Sequence, residues 1–265
     1  MADPVLELVD VTKRFGKHEV LSGVSFKVMP GETRCILGTS GSGKSTVMKI
    51  AIGALKPTSG KVFLDGVDIT GMNERQLNTI RSRFGVLFQG SALLNSMTVG
   101  QNVALPIHQH TKLPPEAVET MVKVKLEQVG LRDAENLLPS EISGGMQKRA
   151  GLARALAIDP KLVFYDEPSA GLDPVATSAI DDLINGLRDK MHITSVVVTH
   201  VLESVERIAD QIVFLHQGRI LATGTLEEIR TLDDPVIQQF LSGSVAGPLT
   251  LGQSKAAFYS DLLNF

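Results

Sequence analysis

The chain has 265 residues, of which 43% are hydrophobic, with a formal net charge of −3 and a single cysteine, Cys35. This length allows a substantial core, while one cysteine excludes an intrachain disulfide and a zinc site built from several cysteines. The charge offers no excess positive field, so we expect no nucleic-acid partner. We predict no signal peptide, because no basic region precedes an apolar stretch, and no membrane span, because no run reaches ~18 apolar residues.

The N-terminal part of the chain is predicted to form a small antiparallel sheet. Residues 6–11, 21–28 and 61–64 alternate between apolar and polar side chains, which is typical of half-buried strands. Asp65 and Gly66 supply a turn after the third strand. We expect this sheet to lie beside the core that the next segment begins.

A glycine-rich segment then fits the pattern G-x-x-x-x-G-K-S. It lies between a predicted buried strand, 33–37, and a predicted helix, 44–52, whose N-terminal dipole favours an anion. Backbone N–H groups of such a loop wrap nucleotide phosphates, Lys44 brings a positive charge to them, and Ser45 can ligate Mg²⁺. The alternative is a chance glycine-rich turn, which the flanking strand and helix disfavour. The predicted nucleotide-binding residues here are Gly38, Thr39, Ser40, Gly41, Ser42, Gly43, Lys44, Ser45 and Thr46.

Residues 91–157 are predicted to form a helical subdomain. Pro114 and Pro115 open a segment with apolar side chains on one helix face. We interpret this stripe as internal packing rather than a partner site. His108 and His110 have no nearby carboxylate or cysteine ligands, so solvent exposure is expected instead of metal binding. The apolar face consists of Val118, Met121, Val122, Leu126 and Val129.

A second anion-binding segment, Ser143-Gly144-Gly145, precedes a predicted helix at 147–157. It offers a hydroxyl and free N–H groups at a helix start. Taken alone, the segment is better explained as an ordinary loop-to-helix turn; its place between the glycine-rich loop and an acidic strand end favours anion binding. One nucleotide has one set of phosphates, so two distant cradles are explained if two copies pair head to tail and each closes the other's site.

A third segment supplies carboxylates. Residues 162–165 form an apolar run suited to a central parallel strand, and Asp166 and Glu167 follow at its carboxyl end, where ligands of open α/β sheets bind. We assign Asp166 to Mg²⁺ and Glu167 to the general base that polarises the attacking water. A solvated acidic pair is the alternative in a chain without a phosphate-binding loop.

The C-terminal part contains two helix-start signals, followed by an irregular segment. Thr225 begins a capping box, Pro235 opens a second helix, and residues 242–248 break regularity. Apolar residues at 257–265 are spaced for a short amphipathic helix, which we expect to dock on the other protomer or on a companion subunit; disorder is the alternative. The residues of this spacing are Ala257, Phe258, Leu262 and Phe265, with Tyr259 and Leu263 beside them.

The three motif segments, in this order, resemble the ATPase subunit of ATP-binding cassette transporters over about residues 6–224. The resemblance implies an α/β fold: a P-loop NTPase core with a mainly parallel sheet, a small antiparallel β subdomain and the α-helical subdomain. We expect an ATPase domain at 1–240 and a C-terminal extension at 241–265 that contacts a partner or the second copy. The family usually has Leu-Ser-Gly-Gly-Gln, whereas this chain has Ile142 and Met146 at the outer positions.

Longer runs are similar to one subfamily, which serves MCE/Mla-type phospholipid transporters. The runs are 142–155 and 102–111. This resemblance implies ATP and Mg²⁺ as cofactors, a homodimer with shared ATP sites, a membrane permease, an MCE-domain substrate-binding protein and a small cytoplasmic accessory subunit. It places the chain on the cytoplasmic face of the bacterial inner membrane. The stretch 92–110 is our candidate contact for the permease. The alternatives are an importer or exporter ATPase for another solute, and a non-transport cassette protein.

The resemblance also assigns roles to four further residues. Gln89 is expected to ligate Mg²⁺ or water and to link the core to the helical subdomain. His200 is expected to orient the γ-phosphate against Glu167, although a strand-end histidine is usually structural. Asp173 lies in the loop that crosses the dimer interface, with a plain turn before Pro174 as the alternative. Phe15 is expected to stack on adenine, with a core phenylalanine as the alternative.

Overall fold

The computed structural model describes residues 3–249, and its elements are numbered in chain order. The strands within that range are β1 (Leu6–Phe15), β2 (His18–Val28), β3 (Thr33–Gly38), β4 (Ser59–Leu64), β5 (Val67–Asp68), β6 (Phe84–Leu87), β7 (Leu162–Asp166), β8 (Thr194–Val198), β9 (Gln211–His216) and β10 (Arg219–Gly224). The α-helices are α1 (Lys44–Ala51), α2 (Glu74–Arg81), α3 (Val99–His110), α4 (Pro115–Gln128), α5 (Gly144–Ala155), α6 (Pro174–Met191), α7 (Leu202–Ile208), α8 (Leu226–Arg230) and α9 (Pro235–Ser242).

The central sheet has six strands in the order β10-β9-β3-β8-β7-β6. All neighbouring pairs are parallel except β9 and β10. Both β3 and β8 are buried along their whole length, which explains their continuous apolar runs, since helices cover both faces of such sheets. The carboxyl ends of β3, β6, β7 and β8 therefore meet at one edge of the sheet.

The predicted antiparallel sheet is present as β2-β1-β4-β5. It includes the three strands expected from alternation, although all three, β1, β2 and β4, extend further than predicted. Cys35 is fully buried in the central sheet, as expected of a small apolar side chain. Side chains from both sheets share one hydrophobic cluster, which includes Leu8, Val62, Ile36 and Val213. The antiparallel sheet is therefore packed firmly beside the strand that leads into the glycine-rich loop.

The helical subdomain is built from α3, α4 and α5, which contact one another. The apolar stripe of α4 packs inward, as predicted: Val118, Val122, Leu126 and Val129 are buried, and Met121 packs against the same cluster. His108 and His110 are exposed, also as predicted. The helix predicted at 147–157 in fact begins at Gly144, because the Ser143 side chain caps it by accepting a hydrogen bond from the Met146 N–H at 3.3 Å.

The predicted C-terminal helices are both present. Thr225 and Glu228 form the capping box of α8. Pro235 is the first residue of α9, and Gly243, with φ 64°, is the C-cap residue that follows its last residue. The Phe240 ring packs edge-on against Phe214 of β9, with centroids 5.2 Å apart. The amphipathic helix predicted at 257–265 lies outside the described residues. Across residues 3–249, no helix is both long and apolar enough to span a membrane.

Candidate nucleotide-binding and hydrolysis site

The glycine-rich loop connects β3 to α1 at the carboxyl edge of the central sheet. Gly38 has φ 151°, and a Cβ there would lie 2.0 Å from the Leu215 carbonyl oxygen, so no other residue fits without moving β9. Gly41 and Gly43 have φ values of 74° and 104°, which other residues rarely adopt. The loop therefore holds its backbone in a conformation that its glycines make possible.

The Lys44 side chain is mostly buried and folds back over the loop. Its Nζ donates hydrogen bonds to the carbonyl oxygens of Gly38, at 2.8 Å, and Thr39, at 2.9 Å. Burial lowers the pKa of Lys44, while the negative charges of Glu167 and Asp166 act in the opposite direction. An anion that reached this ammonium would replace two neutral acceptors by a charged one, which makes a stronger hydrogen bond.

An open cleft of about 700 Å³ lies over the loop. It gathers residues from the antiparallel sheet, the loop, three strand ends and the C-terminal part of the chain. Eight of the nine loop residues predicted from the motif, together with all three predicted catalytic residues, line it. The lining residues are His18, Val20, Gly38, Ser40, Gly41, Ser42, Gly43, Lys44, Ser45, Thr46, Gln89, Glu167, His200 and Phe240. Thr39 is the loop residue that does not line the cleft, and its Oγ1 lies 3.4 Å from Nδ1 of His216.

Asp166 is the last residue of β7, so the strand itself positions its carboxylate. Its Oδ1 is buried and has no hydrogen-bond partner among the described residues. Burial, and secondly the adjacent Glu167 carboxylate, raise the pKa of Asp166. A buried carboxylate oxygen without a hydrogen-bond donor suits an oxygen-liganded cation such as Mg²⁺. Ser45 and Gln89, which line the cleft, carry a hydroxyl and an amide oxygen of the same ligand type.

Glu167 follows directly in the chain and lines the cleft. Its backbone is left-handed, with φ 47°, and its N–H donates to the Val198 carbonyl oxygen at 2.8 Å. His200 Nδ1 lies 2.9 Å from both carboxylate oxygens of Glu167. The side chain of Glu167 is 12% exposed and that of His200 is 60% exposed, so the histidine covers the carboxylate on its solvent side. This pair can hold a water and a phosphate oxygen in fixed positions.

Other predicted residues lie outside the cleft. Phe15 ends β1 with 51% of its surface exposed and Lys13 Nζ 5.0 Å from its ring centroid, so the alternative of a core phenylalanine is wrong. Ser143, Gly144 and Gly145 form the N-terminus of α5 in the helical subdomain and do not line the cleft of the same chain. Asp173 caps α6, since its Oδ1 accepts from the N–H groups of Val175 and Ala176.

Four residues near the chemistry were not predicted from the sequence. His18 and Val20 line the cleft from β2, and Phe240 does so from α9. Lys148, in α5, donates to the backbone carbonyl oxygens of Gln89 and Glu167. For His18 and Val20, closeness to Phe15 was an available signal, because all three lie at the same end of the hairpin of β1 and β2. Nothing local distinguishes Lys148 or Phe240.

The parallel sheet, the glycine-rich loop and the acidic strand end define an α/β nucleotide-binding protein of the P-loop class. The family model described as "ABC transporter" matches residues 21–170. The chain is 40% identical, over 94% of its length and 94% of the relative, to the intermembrane phospholipid transport system ATP-binding protein MlaF of Haemophilus influenzae. It is also 40% identical, over 94% of its length and 72% of the relative, to the probable ribonucleotide transport ATP-binding protein mkl of Mycobacterium leprae.

A solved structure agrees with these sequence relationships. The ATP-binding cassette MJ0796, as a dimer in a post-hydrolysis state with ADP and Pi, matches with a TM-score of 0.78 and 30% identity, over 83% of this chain and 98% of that one. The chain belongs to the ABC transporter family, and it is an ATP-binding and ATP-hydrolysing subunit of that family. The predicted fold class is thereby confirmed.

Proposed function

We propose that this chain is the ATPase subunit of a phospholipid transporter and that two copies close around two shared ATP molecules. The phospholipid assignment is supported by 40% identity to MlaF over nearly the whole length of both chains. Equal identity to mkl makes ribonucleotide transport the second candidate, although the chain covers only 72% of that relative. ATPase activity of the complex with its membrane subunit, with phospholipid or ribonucleotide added, separates the two. Stimulation by ribonucleotide alone would reject the phospholipid assignment.

The closure mechanism is supported by the position of the second anion-binding segment. Ser143 and the α5 N-terminus do not line the cleft of their own chain, so they are free to contact a nucleotide held by a partner. ATP then binds the closed pair better than ADP does, because its γ-phosphate reaches Lys44 of one copy and Ser143 of the other. Such differential binding is what any ligand-driven switch requires. Shifting closure from 1:99 to 99:1 takes about 5.5 kcal/mol, divided between two nucleotides.

Hydrolysis would occur at the strand-end carboxylates. Asp166, Ser45 and Gln89 would hold Mg²⁺, which, when bound, offsets the negative charge that develops on the phosphate oxygens. Glu167 accepts hydrogen bonds from the attacking water and polarises it. His200 keeps the Glu167 carboxylate in place and presents its other ring nitrogen toward the γ-phosphate. The observation that carries this proposal is the contact between His200 and Glu167 within the cleft above Lys44.

The experiment compares two substitutions in the full-length chain. Glu167→Gln keeps the shape of the side chain, so it is expected to bind ATP, to lose hydrolysis and to accumulate as an ATP-bound dimer in light scattering. Lys44→Ala removes the ammonium, so it is expected to weaken nucleotide binding and to remain monomeric. Hydrolysis by Glu167→Gln at the wild-type rate would contradict the role of Glu167. An ATP-bound monomer of Glu167→Gln would contradict the shared site.

A groove between the core and the helical subdomain is the proposed contact for the permease. It has a volume of about 1040 Å³ and is lined by the exposed Phe88 and by Leu105 and Pro106 of α3, the latter two within the stretch 92–110. The lining also includes Arg81 and Arg154, so the groove offers both apolar and charged side chains to an amphipathic helix. Leu105→Asp is expected to prevent co-purification with the permease from membranes, whereas Leu221→Asp, an exposed leucine of β10, is expected to leave it intact.

The remaining parts of the proposal concern assembly. We infer an ATPase domain at 1–240 with its helical subdomain at 91–157, and a contact role for the extension at 241–265. An MCE-domain protein and a small accessory subunit would complete a complex at the cytoplasmic face of the inner membrane. Deleting 246–265 and measuring dimer affinity and complex assembly tests the extension: unchanged values would reject its contact role.

A further inference from the structure

Lys148 lies at an unusual place for a lysine. It is in the second turn of α5, and only 5% of its surface is exposed. Its Nζ donates hydrogen bonds to the backbone carbonyl oxygen of Gln89 and, at 3.3 Å, to that of Glu167. A buried ammonium must be compensated by strong acceptors or by opposite charge, because its desolvation is costly. One side chain of the helical subdomain thus binds the backbones of two residues that line the nucleotide cleft.

The backbone of Glu167 needs such support. A non-glycine residue with φ 47° is strained, and such strain persists only where surrounding contacts determine the conformation. Its N–H is held by the Val198 carbonyl oxygen, and its own carbonyl oxygen accepts from the Ala170 N–H at 3.1 Å as well as from Lys148. The direction of the Glu167 side chain follows from this backbone conformation. Lys148 is the only contact in this set that comes from the helical subdomain.

The charge on Lys148 strengthens this link. Burial lowers the pKa of Lys148, while Asp166 and Glu167 oppose that change, so the ammonium lies within the field of both carboxylates. A charged donor makes a shorter and stronger hydrogen bond to a carbonyl oxygen than a neutral donor does. The side chain therefore holds the turn after β7 by a charge-assisted contact in a region from which solvent is largely excluded.

We propose that Lys148 is a positioning residue that sets the backbone of Glu167 and Gln89 for ATP hydrolysis. The inference rests on the proposed role of Glu167 as the base. It also connects two motifs, because Lys148 is five residues along α5 from Ser143, or about 7.5 Å at 1.5 Å per residue. A shift of α5 when Ser143 engages a nucleotide thus moves the ammonium that holds the catalytic turn.

The test is Lys148→Met in the full-length chain, which keeps an unbranched side chain and removes all donors. The kcat for ATP is expected to fall about 100-fold, as for a displacement of about 1 Å at a reacting group. The Kd of a fluorescent ATP analogue is expected to stay within about twofold, since the loop residues are untouched. Lys148→Arg retains charge and donors and is expected to recover most of the kcat. An unchanged kcat in Lys148→Met would overturn the proposal.

A matched control separates positioning from general stability. Lys125 of α4 is 3% exposed and pairs with Asp159, away from the cleft. Lys125→Met is expected to lower the Tm but to leave kcat within about twofold; an equal loss of kcat in both variants would reject positioning. Should Lys148→Met not fold, Lys148→Gln keeps a neutral donor and is expected to lower kcat about tenfold, and an unchanged kcat would reject the inference equally.

The outcomes also distinguish this inference from the proposal on which it rests. Hydrolysis by Glu167→Gln at the wild-type rate would reject Glu167 as the base, independently of the result with the Lys148 variants. Loss of hydrolysis in Glu167→Gln, combined with a normal kcat in Lys148→Met, would leave the base assigned and reject Lys148 alone.

Discussion

His200 Nδ1 lies 2.9 Å from both carboxylate oxygens of Glu167, so one ring nitrogen bridges the whole carboxylate. The two residues follow neighbouring parallel strands, β7 and β8, and are separated by 33 positions in the chain. The Glu167 N–H binds the Val198 carbonyl oxygen, so the turn that carries the glutamate is also tied to the strand that carries the histidine. The histidine therefore restricts where the carboxylate can point.

We predict that His200→Ala lowers kcat by about 100-fold or more, the usual range for loss of one preorganised catalytic hydrogen-bonding group. The Kd for ATP should change little, because the loop around Lys44 is intact. Steady-state hydrolysis and nucleotide titration measure the two quantities. His108→Ala, an exposed histidine of α3, is the control and should hydrolyse ATP normally. Normal hydrolysis by His200→Ala would show that its contact with Glu167 is structural.

Phe15→Ala tests the adenine contact. Because Phe15 is 51% exposed, its removal should change the Tm little, whereas loss of stacking on a base, about 1.4 kcal/mol, should weaken ATP binding about tenfold. Inorganic triphosphate, which has no base, should bind both proteins equally. Phe63→Ala is a matched control, since Phe63 also lies under a lysine, Lys61, on the antiparallel sheet. Equal ATP affinity in Phe15→Ala and wild type would reject stacking.

Gly85→Ala tests the junction between the core and the helical subdomain. A Cβ on Gly85 of β6 would lie 2.2 Å from the Ala155 carbonyl oxygen of α5, so the helix must move. We expect a loss of about 1–3 kcal/mol in the free energy of unfolding, measured by denaturant titration. Gly186→Ala in α6, where a Cβ meets nothing within 4 Å, should instead stabilise the protein by about 0.5–1 kcal/mol. Equal effects of the two changes would contradict the close approach.

Cys35 gives a probe of local opening in β3. It is fully buried, and burial raises the pKa of its thiol, so reactive thiolate is scarce at neutral pH. A thiol reagent such as 5,5′-dithiobis(2-nitrobenzoate) should react slowly with the native protein and rapidly in denaturant. Since Cys35 is the only cysteine, the absorbance reports this position alone. Fast reaction under native conditions would show that the strand before the glycine-rich loop opens readily.

Much of the site follows from local signals in the sequence. The spacing of Gly38, Gly43 and Lys44 predicts a phosphate loop because its backbone demands are local. The strand that carries Asp166 is predicted by a short apolar run, and α4 by its apolar face. The boundary of α5 is less well predicted, because capping by Ser143 starts the helix at Gly144, three residues before the predicted start at 147.

From the sequence alone, the motif spacing and the hydrophobic periodicity thus determined the glycine-rich loop, the strand-end carboxylates and the class of fold. Only the tertiary structure decided that Lys148 binds the backbones of Gln89 and Glu167 and that Phe240 reaches the cleft from α9. The physical reason is that these contacts join segments far apart in the chain, 59 positions for Lys148 and Gln89. Hydrophobic period and residue type do not indicate which residues meet across such a distance; the packing of α5 against β6 and of α9 against β9 decides it.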